Sequence, residues 1–311
     1  MSSIVEILKK NRPNVSQSTL KTYQSGIRSI GKHLNVEVDS PQIIVDNIDA
    51  IINYLNDKKL NVRKTKMSAL IVFLDEDTPS EQTSDVINRL RTIVAKDKLE
   101  NEENEIKQTM TERQKKNYIS WDEVLKIYES LKTEAEPLFK LSTLTVANFR
   151  KLMNYVLLSC YVLIPPRRSL DYTAFKLRNY DTGKDNYMLP KSKKNKSVFV
   201  FNQYKNAGRM GTQEILIPNT LKTIIQKWTL KNPYDHLLTT ADGKPVTQTK
   251  INAMLNDIFQ KNISSTLLRH IWVTNKYGHV DLEELHEDAN KLGQSNPERL
   301  LKYVDKEVDK N

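Results

Sequence analysis

The chain has one cysteine, Cys160, in 311 residues, so no disulfide can close within it and a reducing, intracellular setting is expected. Cys160 lies in "YVLLSCYVLI", where a thiol packs as a small buried hydrophobe. That run is the most apolar stretch, yet at about ten residues it is too short to span a bilayer. The opening "MSSIVEILKKNRP" lacks the apolar core of a signal peptide, and no lipidation motif is present. These absences predict a soluble intracellular protein with no membrane partner. Glycine is scarce (8 residues) and aromatics make up 7%, which argues against a β-sandwich or barrel and favours helices. The five histidines show no metal-ligand spacing and there is no cysteine cluster, so no metal site is expected. No glycine loop precedes a Lys-Ser/Thr pair, which leaves nucleotide hydrolysis without support. No cofactor is predicted.

What the chain does have is positive charge. Its 48 Lys and Arg outnumber 38 Asp and Glu, a formal net charge of +10. An excess of that sign suits a polyanionic partner, because lysine and arginine displace counterions from phosphates. The length suggests two domains. Residues 1–100 carry helical periodicities: Ser16 precedes Leu20, Tyr23, Ile27, Ile30 and Leu34, and Ser40-Pro41 opens a second helix through Leu55. "VRKTKMSALIVFLD" and "SEQTSDVINRLRTIVAKDKL" continue the period, which predicts a four-helix bundle. Residues 101–117 are nearly all polar and read as a linker or solvated helix at a domain boundary. A second domain, 118–311, begins with Ser120 and Glu123 as a capping box. It continues with a helix over about 145–164, ended by Pro165-Pro166. "YMLP", "SVFVFNQY" and "QEILIP" carry the main β signal, with "KNAGRMGT" as a turn. Helices return from about 218. The fold class expected is mainly α with a small β-sheet or hairpin.

The polar residues that stand out lie in the second half: Arg167-Arg168 after an apolar helix, Lys205 beside the hairpin turn, Arg269-His270 within an apolar helix, and Tyr303. Arg269 sits among Leu267, Leu268, Ile271, Trp272 and Val273, and a guanidinium in such company needs an anion. Two arginines, a lysine and a tyrosine suffice for metal-free attack on a phosphodiester. Arginine forks hold non-bridging oxygens and stabilise the charge that builds in the transition state. A lysine protonates the leaving oxygen, and a tyrosine becomes nucleophilic when nearby cations favour its phenolate.

The order and spacing of these residues resemble the tyrosine recombinases, the phage-type integrases. "PPRRSLDY" resembles the first-arginine box, in which an acidic residue follows the arginine by three; that register selects Arg168, with Asp171, over Arg167. "FNQYKNAGRMGTQEILIP" is similar to the lysine hairpin and points to Lys205. "STLLRHIWVT" is similar to the second-arginine box and points to Arg269. "LGQS…KYV" resembles the closing box, with Gln294 nine residues before Tyr303. The first hundred residues resemble the family's SAM-like core-binding domain, and 118–311 its α+β catalytic domain. Two positions depart from the pattern: Thr266 stands where a His or Lys opens the box, and Gln294 where a His or Trp is expected. Threonine is no general base near neutral pH, so the proton acceptor from Tyr303 is open.

The resemblance implies a site-specific recombinase from a virus or mobile element. It implies a clamp of two domains on double-stranded DNA and homo-tetramers on paired sites. Tyr303 would form a 3′-phosphotyrosyl link without metal or ATP, with Arg168, Lys205, Arg269 and Gln294 as its catalytic partners. Candidate phosphate contacts are Lys21, Arg28, Arg63, Lys64 and Lys66 in the bundle, and Lys191, Lys193, Lys194 and Lys196 in "PKSKKNKS". Two alternatives stand beside this reading: a type IB topoisomerase-like enzyme, and a DNA-binding protein of the same fold that no longer cleaves.

Overall fold

The computed structural model describes residues 3–106, 110–173, 175–191, 196–277, 288–289 and 291–293. The chain divides into two compact units, Met1–Lys107 and Gln108–Asn311. The division falls inside the polar stretch 101–117.

The first unit is helical: α1 (Ile4–Asn11), α2 (Gln17–Leu34), α3 (Pro41–Asp46), α4 (Ile48–Asn56), α5 (Leu60–Leu74) and α6 (Glu81–Ile106). The sequence reading has no helix at α1, although Ser3 and Glu6 form a complete capping box there. Ser16 caps α2 by accepting from the Thr19 amide, and Asn35 ends it in the left-handed region at φ 56. The single helix expected from Pro41 is two. At Asn47 the backbone leaves helical values, and its side-chain amide donates to the Ile43 carbonyl at 2.8 Å. α5 is apolar on nearly all sides at Met67, Ala69, Leu70, Val72, Phe73 and Leu74, and it packs against α1, α2, α3, α4 and α6. Burial of a side chain such as Phe73 contributes roughly 1.5–3 kcal/mol. α6 runs on to Ile106, so the acidic start of the stretch read as a boundary is helix up to that point.

The second unit contains α7 (Glu112–Asn117), α8 (Trp121–Ala135), α9 (Val146–Val162), α10 (Ser169–Thr173), β1 (Phe175–Lys176), β2 (Asn186–Leu189), β3 (Val198–Phe201), α11 (Ala207–Met210), β4 (Gln213–Leu216), α12 (Asn219–Lys231), α13 (Gln248–Phe259) and α14 (Ser265–Tyr277). The capping box of Ser120 and Glu123 opens α8 as expected. α9 is buried over most of its length from Leu152 to Tyr161, Cys160 included, and burial pushes that thiol up and keeps it protonated. Pro165 and Pro166 follow it and cannot continue the helical ladder.

The four strands form one sheet in the order β1-β2-β3-β4, with β1 parallel to β2 and the other pairs antiparallel. In β3, Phe199 and Phe201 enter the main core, while Val198 and Val200 join Tyr187 in a smaller cluster. The alternation of "VFVF" therefore buries both faces of that strand. The stretch expected as a plain turn between β3 and β4 holds the short helix α11, closed by Gly211 at φ 67. The fold is mainly α with one small sheet. No described helix is long and apolar enough to cross a membrane.

Candidate functional site

Arg167 and Arg168 follow the two prolines after α9 and stand just before α10, and the two side chains part company. Arg167 is completely buried. Its Nε donates to Asp171 Oδ2 at 2.7 Å, Nη1 to the Lys291 carbonyl at 2.6 Å, and Nη2 to Gln213 Oε1 at 3.0 Å. The guanidinium also lies 4.1 Å from the Phe201 ring centre and 5.3 Å from that of Tyr204. Arg168 is half-buried, and its carbonyl accepts from the Asp171 amide at 3.0 Å as α10 opens. The register drawn from sequence joined Asp171 to Arg168. The carboxylate instead holds Arg167, which is turned into the protein with it.

Asp171 is the electrostatic centre of the site. Burial, the largest influence, raises its carboxyl above the ordinary value, against the pull of Arg167 and, more weakly, of Arg168 and Arg269. The two arginine segments are tied directly, since the Ser169 amide donates to Ser265 Oγ, at the first residue of α14, at 3.3 Å. One turn on, Arg269 is 3% exposed and its Nη2 donates to the Leu292 carbonyl at 3.4 Å. Thr266, at the position that departs from the pattern, is exposed. His270 is half-buried, and burial followed by the charge of Arg269 lowers its pKa to about 4, so the imidazole is neutral at pH 7.

Lys205 is exposed on the turn that leaves β3. Its neighbours anchor that turn on both sides. Tyr204 donates its hydroxyl to the Gly211 carbonyl at 2.7 Å, and Asn206 donates its amide to the Gly293 carbonyl at 2.7 Å. The lysine hairpin and the Leu292-Gly293 turn, far apart in sequence, are therefore hydrogen-bonded neighbours.

No protein-family model and no curated protein matches this sequence. Solved structures do. The chain is similar to a lambda integrase (75-356) dimer bound to a COC′ core site, with 15% identity, TM-score 0.54, and coverage of 94% of this chain and 90% of that one. It is similar to the XerH site-specific recombinase bound to difH substrate, with 13% identity, TM-score 0.56, and coverage of 99% and 83%. A lambda integrase tetramer bound to a Holliday junction matches with 14% identity and TM-score 0.52, covering 97% and 75%. This chain has the tyrosine recombinase fold.

Within the tyrosine recombinase fold, the remaining candidate residues separate by environment. Gln294, Tyr303, Lys193 and Lys194 lie outside the described residues. Lys191 and Lys196 are exposed and share a concave surface with Lys222. On α2, Lys21 and Arg28 are exposed; on α5, Lys64 is half-buried. Lys66 reaches inward instead, donating to Ser29 Oγ at 2.5 Å and to Tyr54 Oη at 3.4 Å. Arg63, read from sequence as a phosphate contact, gives its fork to Asp97, with Nε to Oδ2 at 2.8 Å and Nη2 to Oδ1. Asp97 is fully buried, and a buried carboxylate holds an adjacent guanidinium more strongly than a solvated phosphate would. Sequence reasoning also missed the internal role of Arg167, the anchor at Asn206 and the contribution of Gln213. The only signal for them was Gly293, whose φ of 69 marks a close-packed turn.

Proposed function

We propose that this chain is a site-specific DNA recombinase that cuts and rejoins strands through Tyr303. Tyr303, its hydroxyl proton released to water, attacks the scissile phosphorus as the phenolate, and the P–O5′ bond breaks with its electron pair on the 5′-oxygen. Lys205 supplies the proton to that oxygen. The free 5′-hydroxyl of a second strand then attacks the phosphotyrosine, restores a phosphodiester and releases the tyrosine. Bond energy is kept in the covalent link, so the two steps are balanced without ATP. Arg168 and Arg269 hold the non-bridging oxygens, and Gln294 adds a hydrogen bond to the same group.

One observation carries this reading: segments around residues 168, 205, 269 and 292 meet at one place, through Ser169–Ser265, Arg269–Leu292 and Asn206–Gly293. Arg168, rather than Arg167, is the phosphate clamp because every nitrogen of Arg167 donates inside the protein while Arg168 is half-open. Lys21, Arg28, Lys64, Lys191 and Lys196, with Lys193 and Lys194, serve as phosphate contacts. The similar structures are a recombinase and integrases bound to DNA, and one is a tetramer on a Holliday junction. They support duplex DNA as the partner and a homo-tetramer as the working assembly.

A second reading, a DNA-binding protein that does not cleave, is favoured by Thr266 and by the neutral, weakly basic His270. A nicked suicide substrate separates the readings. Covalent adduct with strand exchange is expected. Adduct with relaxation alone would indicate a type IB topoisomerase-like enzyme, and no adduct a binding protein.

A further inference from the structure

Three successive carbonyls in the short turn at 291–293 each accept a hydrogen bond from a different part of the second unit. Lys291 O takes Arg167 Nη1 at 2.6 Å, Leu292 O takes Arg269 Nη2 at 3.4 Å, and Gly293 O takes Asn206 Nδ2 at 2.7 Å. The turn is seated closely. A Cβ added at Gly293 would lie 3.4 Å from Arg167 Nη2, 3.5 Å from Gln213 Oε1 and 3.6 Å from Tyr204 Cδ2, at a φ of 69 that L side chains rarely adopt. Two of the donors, Arg167 and Arg269, are buried and fixed by the core around them. Asn206 differs: it sits on the surface hairpin, immediately after the exposed Lys205.

A lysine on a surface turn has a long, freely rotating stem, so only the backbone of the turn can set where its ammonium reaches. Tyr204 fixes the hairpin to itself, through Gly211. Asn202 and Gln203 tie its start to residues 182–186, and Asn206 ties it to the 291–293 turn, through the carbonyl of the residue before Gln294. We propose that Asn206 is a positioning residue, a latch that holds the Lys205 turn at a fixed distance from the Leu292-Gly293 turn. The inference rests on the recombinase reading, in which Lys205 protonates the 5′-oxygen. Asn206 acts by keeping the proton donor and the closing segment in one frame, where a displacement of about 1 Å costs on the order of 10²-fold in rate.

The test uses the full chain and a nicked suicide substrate carrying either oxygen or sulfur at the bridging 5′ position. A sulfur leaving group needs little protonation, so it bypasses a misplaced acid. Asn206→Ala should slow single-turnover cleavage of the oxygen substrate on the order of 10- to 100-fold. DNA affinity should stay within a few-fold, and the sulfur substrate should return the rate to near that of the unaltered protein. Combined with Lys205→Ala it should add almost nothing, because two changes that remove one function are not additive. Gly293→Ala strains the other side of the latch and should give the same sulfur-rescued defect, which keeps the test open if Asn206→Ala lowers the melting temperature severely. An Asn206→Ala rate equal to the unaltered protein overturns the latch, and so does an equal loss on both substrates, which would report general damage. If the unaltered protein forms no adduct, or sulfur fails to rescue Lys205→Ala, the recombinase reading or its acid falls and the latch falls with it. A rescued Lys205→Ala beside a normal Asn206→Ala removes the latch alone.

Discussion

Each unit of this protein pairs an arginine with a buried aspartate, and the two pairs are used differently. In the helical first unit, Arg63 and Asp97 join α5 to α6, with the guanidinium 19% exposed and the carboxylate 1%. Besides Asp97, Thr83 is the other polar side chain buried in that unit among the described residues. In the second unit, Arg167 and Asp171 are 0% and 3% exposed, and the same guanidinium continues to Gln213 and to the Lys291 carbonyl. Two further arginines lie in the field of that aspartate. One pair stitches neighbouring helices that apolar packing already holds. The other gathers segments as far apart in the chain as residues 167, 213 and 291. Buried charge is costly unless it is fully partnered, so its concentration in the second unit marks where precise placement of polar groups outweighs that cost.

Four changes break or sharpen this contrast. The largest effect belongs to the chemistry assigned to the second unit. Tyr303→Phe removes one oxygen and keeps the ring, so it should abolish the covalent adduct on a denaturing gel while DNA affinity stays within a few-fold. A covalent band in that variant would mean another residue is the nucleophile.

Next, the neighbouring arginines should separate cleanly. Arg168→Ala and Arg269→Ala should each slow cleavage on the order of 10²-fold or more, the scale of a lost oxyanion donor. Arg167→Ala leaves Asp171 buried without its ion-pair partner and should first appear as lost stability, roughly 3–5 kcal/mol in denaturant unfolding. Arg167→Ala with unchanged stability and the greater loss of cleavage would exchange the two roles.

The pair in the first unit offers the matching control. Arg63→Ala should destabilise by about 3 kcal/mol, since Asp97 stays buried and uncompensated. Replacing both partners with leucine should recover most of that. A loss of DNA affinity with unchanged unfolding would instead restore Arg63 as a phosphate contact.

The smallest effect is set by pH. The folded state holds His270 at about 4, below the roughly 6.5 of an unfolded histidine, so the unfolded chain binds more protons between those values. Stability from this group is fully present above pH ~6.5 and is lost as pH falls toward about 4. His270→Gln should flatten that part of the pH–stability curve; an unchanged curve would show that the imidazole is not held neutral. Asp288 works in the same sense at lower pH. Burial alone would raise it, but hydrogen bonds from Lys276, Lys291 and Tyr277 outweigh that and hold its carboxyl low.

Local rules made much of the architecture legible. The caps at Ser16 and Ser120, the double proline after α9 and the alternation of "VFVF" depend on interactions within a few residues, and each acts in the structure as it reads in the chain. The break at Asn47 escaped because its cause, a side-chain amide bound back to Ile43, competes with a helix that the apolar spacing favours equally well. The mainly α fold and the order of the boxes were legible for the same reason: both are written in spacing along one strand of chain. Which of two adjacent arginines turns inward was not. Arg167 is fixed by Gln213 and the Lys291 carbonyl, partners 46 and 124 residues away, and no pattern near position 167 encodes them. The same holds for Arg63, spent on Asp97 across 34 residues, and for Asn206, whose carbonyl partner lies 87 residues on. Spacing determines which faces a segment presents; only the packed tertiary structure decides which charge meets which, because a guanidinium is committed to the nearest buried acceptor rather than to the neighbour the chain supplies.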